Sequence, residues 1–126
     1  MDKKAIETDK APKAIGPYSQ AVKYGDMLFC SGQIGMDPES GELVSGGIEA
    51  QTEQIFKNVQ AVLNKAGMDF KNILKATIYI TSMYDFASVN NVYSKYFTTP
   101  FPARAAVEVS GLPKDALIEM EVIAGS

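Results

Sequence analysis

From Ile48 to Ala66 the stripe-forming side chains recur at spacings of three and four. Ile48, Thr52, Ile55, Phe56, Val59, Val62, Leu63 and Ala66 fall on one face of a 3.6-residue period. Glu49, Glu53, Lys57, Gln60 and Asn64 lie off that face, with Glu53 and Lys57 set for a favourable pair one turn apart. This pattern predicts an amphipathic helix, with a left-handed cap expected at Gly67. Upstream, residues 20–24 and 27–31 flank Gly25-Asp26 and predict a β-hairpin. Turn formers gather at 37–42, where a loop or a second tight hairpin is expected. Downstream, residues 75–81 are β-branched and aromatic, as a strand requires. Ser82 to Asp85 fits a capping box with the shorter Asp in place of Glu, opening a second helix with Phe86, Val89, Tyr93, Tyr96 and Phe97 on its buried side. Pro100 and Pro102 break that helix. Strands over 103–109 and 117–124 follow, separated by a turn at 111–115, and the polar residues 1–13 form an N-terminal arm or a short edge strand.

The order of elements predicts one α+β domain spanning residues 1–126, with a mixed sheet of five or six strands, because two helices follow strands in crossover fashion. Two helices cover only one face of such a sheet, which leaves the other solvated or buried against further subunits. In the last strand Ile118, Met120, Val122 and Ala124 alternate toward the helices, while Leu117, Glu119, Glu121 and Ile123 share the uncovered face. Two carboxylates among apolar neighbours favour homo-oligomerisation through that face. A solvated face whose ends happen to be apolar is the ordinary alternative.

Composition narrows the chemistry. Net charge is −3 over 126 residues, and the lysines are scattered, so a nucleic-acid or anionic-membrane partner is disfavoured. There is no histidine, which excludes a Ser-His-Asp triad and a zinc site on composition alone. The single cysteine, Cys30, suits a reducing compartment and forms no intrachain disulfide; a small core residue is the expected role. No apolar run approaches a membrane span, and the first residues lack a secretory apolar stretch, so a soluble cytoplasmic protein is expected.

Three groups are candidates for a site. Arg104 is the one arginine beside eleven lysines, in a stretch without another charge between Lys95 and Glu108. A planar guanidinium grips a carboxylate through two parallel hydrogen bonds, which an ammonium does not imitate; an ion pair to Glu108 on the same strand face is the plainer reading. Glu119 lies mid-strand where apolar neighbours would raise its pKa toward acid–base work, although a solvent-facing strand carboxylate would look the same. Tyr18, Ser31 and Gly32 lie at strand ends, where hydroxyls orient polar atoms and glycine admits a ligand, or where ordinary turn chemistry applies.

These residues occur in segments that resemble the RidA (YjgF) family in order and spacing. They are Gly16-Pro17-Tyr18-Ser19-Gln20-Ala21, Ser31-Gly32-Gln33-Ile34, Asn58 to Leu63, Phe86 to Asn90, and Pro102-Ala103-Arg104 with Val107, Leu112 and Ile118-Glu119-Met120. The resemblance covers about residues 3 to 125. It implies a chorismate-mutase-like fold, a homotrimer whose sheets form a central barrel, and ligand sites in clefts between subunits. It also implies cofactor-free hydrolysis of 2-aminoacrylate, 2-iminobutanoate or 2-iminopropanoate, products of pyridoxal-phosphate dehydratases, to 2-oxo acids and ammonia. Carried over, Arg104 would hold the substrate carboxylate, Glu119 would position water and move protons, and Tyr18, Ser31, Gly32 and Asn90 would line the pocket. Many relatives carry a cysteine where this chain has Ala106, so only a backbone role at Ala106 is implied. A non-catalytic sensor of 2-oxo acids or amino acids, and an RNA-cleaving or translation-inhibiting protein, are the alternatives.

Overall fold

The computed structural model describes residues 2–126. Six strands, β1 (Lys3–Ile6), β2 (Ala21–Tyr24), β3 (Met27–Ile34), β4 (Ile73–Ile80), β5 (Ala103–Glu108) and β6 (Ile118–Gly125), form one sheet in the order β1-β2-β3-β6-β4-β5. Every neighbouring pair is antiparallel except β4 and β5, which run parallel through the second crossover. The sheet is therefore mixed, as expected. Of the two alternatives for the first residues, the edge strand is the one formed, over Lys3–Ile6. The arm that follows is pinned by Gln20, whose amide donates to the carbonyls of Thr8, Ala11 and Pro12 while its carbonyl accepts from the Thr8 N–H.

Helix α1 (Gly47–Lys65) lays its apolar stripe on the sheet, with Ile55, Phe56, Val59, Val62 and Leu63 buried. It ends in a Schellman arrangement. The Met68 N–H donates to the Leu63 carbonyl and the Gly67 N–H to that of Asn64, with Gly67 at φ 77°. Glu53 does not pair with Lys57 as expected; it accepts from Lys95 and Tyr96, because the end of the second helical segment packs alongside. That second helix, α2 (Phe86–Tyr93), is shorter than its apolar pattern suggests. Ser82 caps a single 3₁₀ turn (Met83–Asp85) that leads into it, and Tyr96 and Phe97 follow its end. These aromatics still reach the core: Tyr96 stacks on Phe56 at 4.2 Å, and Phe97 meets the same ring edge-on.

Both helices lie on one face. On that face β4 contributes Ala76, Ile78 and Ile80, β6 contributes Ile118, Met120, Val122 and Ala124, and β3 contributes Leu28 and Cys30. The opposite face carries Phe29, Lys75, Thr77, Tyr79, Glu119, Glu121 and Ile123, and no element among the described residues covers it. The expected turns are present. A two-residue loop, Gly25-Asp26, joins β2 to β3, and Met36 bridges to Leu43 across the 37–42 segment. Asn58 is fully buried; its amide donates to the carbonyls of Ile34 and Met36 and ties α1 to the end of β3. Among the described residues no helix is long and apolar enough to cross a membrane.

Candidate functional site

Arg104 sits on the edge strand β5, in register with Ala76 of β4, so its side chain emerges on the helix-covered face. There α2 meets it with Phe86, Asn90 and Tyr93, which share one side of the helix at spacings of four and three. The Arg104 Nη1 donates to Asn90 Oδ1 at 2.7 Å, and its guanidinium carbon lies 5.2 Å from the Phe86 ring centre and 4.8 Å from that of Tyr93. A cavity of about 340 Å³ opens beside it, lined by Asn90, Tyr93, Ser94, Phe101, Pro102 and Arg104. The plainer reading, an ion pair with Glu108, is not formed. Glu108 instead accepts from the Met83 N–H, at the turn before α2. Ala106, in register with Ile78, is partly buried against the core on the same face as Arg104.

Glu119 belongs to a second cluster. It is in register with Tyr79 and so points to the uncovered face, two strands from β5. Across the β3–β6 pair a bulge falls at Ser31–Gly32, between Cys30 and Gln33. The Glu119 carboxylate lies over this bulge. A Cβ on Gly32 would stand 2.0 Å from Glu119 Oε2, so only glycine leaves the carboxylate its place. The Ser31 hydroxyl donates to the Ser19 carbonyl at 2.6 Å, which brings the Tyr18-Ser19 segment alongside, with Tyr18 55 % exposed. Burial, and then the neighbouring Glu121 charge, push the Glu119 carboxyl above the usual carboxylate range. Glu121 itself accepts from the Tyr79 hydroxyl at 2.9 Å. Cys30 is buried beneath the helices with its thiol pushed up to about 12, which suits a core residue and not a nucleophile.

The sequence-derived candidates thus fall into two separate clusters. Arg104, Asn90 and Ala106 gather on the covered face at the β5 edge; Glu119, Gly32 and Ser31, with Tyr18 nearby, gather on the open face. Within one chain Arg104 and Glu119 do not meet. Neighbouring strands lie about 4.8 Å apart, so two strands and the thickness of the sheet separate them. A larger hollow of about 680 Å³, between the N-terminal arm and Lys65, includes Tyr18 but neither Arg104 nor Glu119. Sequence reasoning treated Phe86 and Tyr93 as core and missed their contact with Arg104. Their spacing from Asn90 was the available signal. The bulge at Ser31–Gly32 left none, because a bulge depends on the partner strand's register.

Comparison with known proteins identifies the chain's relatives. The profile of the family described as Endoribonuclease L-PSP matches residues 8–126. A RutC family protein of Pyrococcus abyssi is 54% identical over 124 residues, covering 98% of each chain. The human 2-iminobutanoate/2-iminopropanoate deaminase is 50% identical over 122 residues, covering 97% of this chain and 89% of that protein. Among solved structures, a Rid-family protein of unknown function from Yersinia pestis superposes with a TM-score of 0.96 at 52% identity, covering 99% of this chain and 100% of the other. The chorismate-mutase-like fold expected from the resemblance is consistent with these neighbours. With a profile match over nearly its whole length and relatives of this identity, the chain belongs to the Endoribonuclease L-PSP family, the RidA family.

Proposed function

We propose that this protein hydrolyses reactive 2-imino acids and their enamine tautomers, such as 2-iminobutanoate, 2-iminopropanoate and 2-aminoacrylate, to 2-oxo acids and ammonia without a cofactor. The observation that carries the reading is the Arg104 fork beside a cavity of about 340 Å³, fixed by Asn90 and not neutralised by any carboxylate of its own chain among the described residues. A guanidinium held this way donates two hydrogen bonds to the two oxygens of a small carboxylate. The name of the human relative supports the same substrate class.

In this reading the two half-sites belong to different copies of the chain. Arg104 of one subunit and Glu119 of the next, with Gly32, Ser31 and Tyr18, close one pocket, and a homotrimer repeats it around the axis. The uncovered sheet face, which carries Phe29, Ile123, Tyr79 and Glu121, becomes the barrel interior. Glu119 takes a proton from water as its oxygen attacks the imine carbon. It passes that proton to the nitrogen, giving a carbinolamine, then takes the hydroxyl proton and delivers it to the amine as the C–N bond breaks, releasing ammonia and leaving the 2-oxo acid. A carboxyl whose pKa is raised suits both halves of that exchange. Ala106 offers only its backbone, so thiol chemistry at this position is absent from the scheme. A cytoplasmic location fits one unpaired cysteine. RNA cleavage fits less well, since an acidic chain with scattered lysines has no stripe for phosphates.

The test is a coupled assay in which threonine dehydratase generates 2-iminobutanoate, semicarbazide competes for it, and 2-oxobutanoate release is followed. Acceleration by the wild type and not by Arg104→Ala supports enzyme and clamp together. No acceleration by either would overturn the enzyme reading in favour of a non-catalytic binder of 2-oxo or amino acids.

A further inference from the structure

We infer that Phe86 and Tyr93 are positioning residues for Arg104, fixing the guanidinium plane so that its free N–H edge meets the ligand. The inference rests on the carboxylate-clamp reading above. Phe86 and Tyr93 stand seven residues apart on α2, an axial distance of about 10.5 Å. The guanidinium carbon is 5.2 Å from one ring centre and 4.8 Å from the other, so the group lies against both rings. Aromatic rings attract a guanidinium through their faces and leave its in-plane N–H edges free. Asn90, between them on the helix, takes one Nη1 hydrogen, which sets the rotation of the fork within the slot. A bidentate carboxylate needs that remaining edge.

The Tyr93 ring is itself held by packing. Tyr93 is 7% exposed, meets Phe56 edge-on at 5.9 Å and packs against Phe97 at 4.6 Å. Its hydroxyl is the one buried side-chain polar atom without a hydrogen-bond partner among the described residues. A buried phenol left unpaired is unfavourable, so hydrogen bonding by that hydroxyl does not account for the residue in this position. Its ring does, packed against Phe56 and Phe97 and presented to Arg104.

The experiment measures kcat and KM for 2-iminobutanoate hydrolysis in Tyr93→Leu, Tyr93→Phe, Phe86→Leu, Arg104→Lys and the double variant Tyr93→Leu/Arg104→Lys. Loss of a ring face should raise KM about threefold to tenfold, with the smaller part of the change in kcat. Tyr93→Phe should rescue most of the Tyr93→Leu defect, and the double variant should be no worse in KM than Arg104→Lys alone. Phe86 is only partly buried, so Phe86→Leu gives the same KM reading should Tyr93→Leu fail to fold. A fall in kcat at unchanged KM, or no rescue by Tyr93→Phe, overturns the positioning role while leaving the clamp in place. Normal turnover by Arg104→Lys would instead overturn the clamp, and the positioning role with it.

Discussion

Arg104 and Glu119 were legible because each is anomalous for its surroundings. One is the sole arginine of a lysine-using chain, the other a carboxylate among apolar strand positions. Their partners were less legible. Glu108 shares the strand face of Arg104 yet turns to a backbone N–H, and Asn90 on a separate element holds the guanidinium. Arg104→Lys keeps charge and length but not the fork, so kcat/KM should fall at least about tenfold, read by steady-state kinetics. Gly32→Ala separates site from scaffold. The added Cβ would collide with the Glu119 carboxylate, the movable end of a side chain, so the melting temperature should change little while activity falls about tenfold or more. Glu119→Gln should cut kcat by about a hundredfold, in the range expected for one acid–base group. The same change should act oppositely on stability. Because the folded chain holds this carboxyl above its usual range, it binds the proton more tightly than the unfolded chain does, and carrying the charge at neutral pH is destabilising. The variant should therefore melt higher than wild type near pH 7, with the difference shrinking as pH falls and Glu119 itself becomes protonated, which calorimetry across pH would read.

At the scale of elements, the periodic stripe of α1 and its Gly67 cap were readable because a helix on a sheet face must repeat its apolar contacts every turn. The end of α2 was not, since Tyr96 and Phe97 continue the apolar spacing after the helical hydrogen bonding has ceased. Two contacts between α1 and the segment at the end of β3 were also invisible, because they join residues far apart in sequence. Gly35 lies against the backbone of Gln51, where a Cβ would stand 2.6 Å from the Gln51 Cα. Neither backbone can yield without moving α1, so Gly35→Ala should destabilise by about 1–3 kcal/mol in denaturant titration. Asn58→Ala would remove the donor to the part-buried Ile34 and Met36 carbonyls, of which only Ile34's keeps another donor among the described residues, the Met36 N–H, at a cost of about 1–3 kcal/mol. Both substitutions should spare the KM of any protein that remains folded.

For the whole molecule, a sheet of five or six strands, mixed pairing and two helices on one face followed from the order of elements, whereas the choice of six and the strand order β1-β2-β3-β6-β4-β5 did not. The insertion of β6 between β3 and β4 puts Glu119 beside Gly32 and leaves Arg104 at the far edge, and no local pattern announces it. The consequence is functional. With Arg104 and Glu119 on opposite faces of one sheet, a pocket that uses both requires a second copy, and light scattering should give three times the chain mass. The most direct test mixes two inactive variants, Arg104→Ala and Glu119→Gln, after co-refolding or co-expression. If each pocket takes Arg104 from one subunit and Glu119 from another, random assembly leaves about a quarter of the pockets intact, and that share of wild-type activity should reappear. Mixed oligomers as inactive as either parent would contradict a pocket shared between subunits.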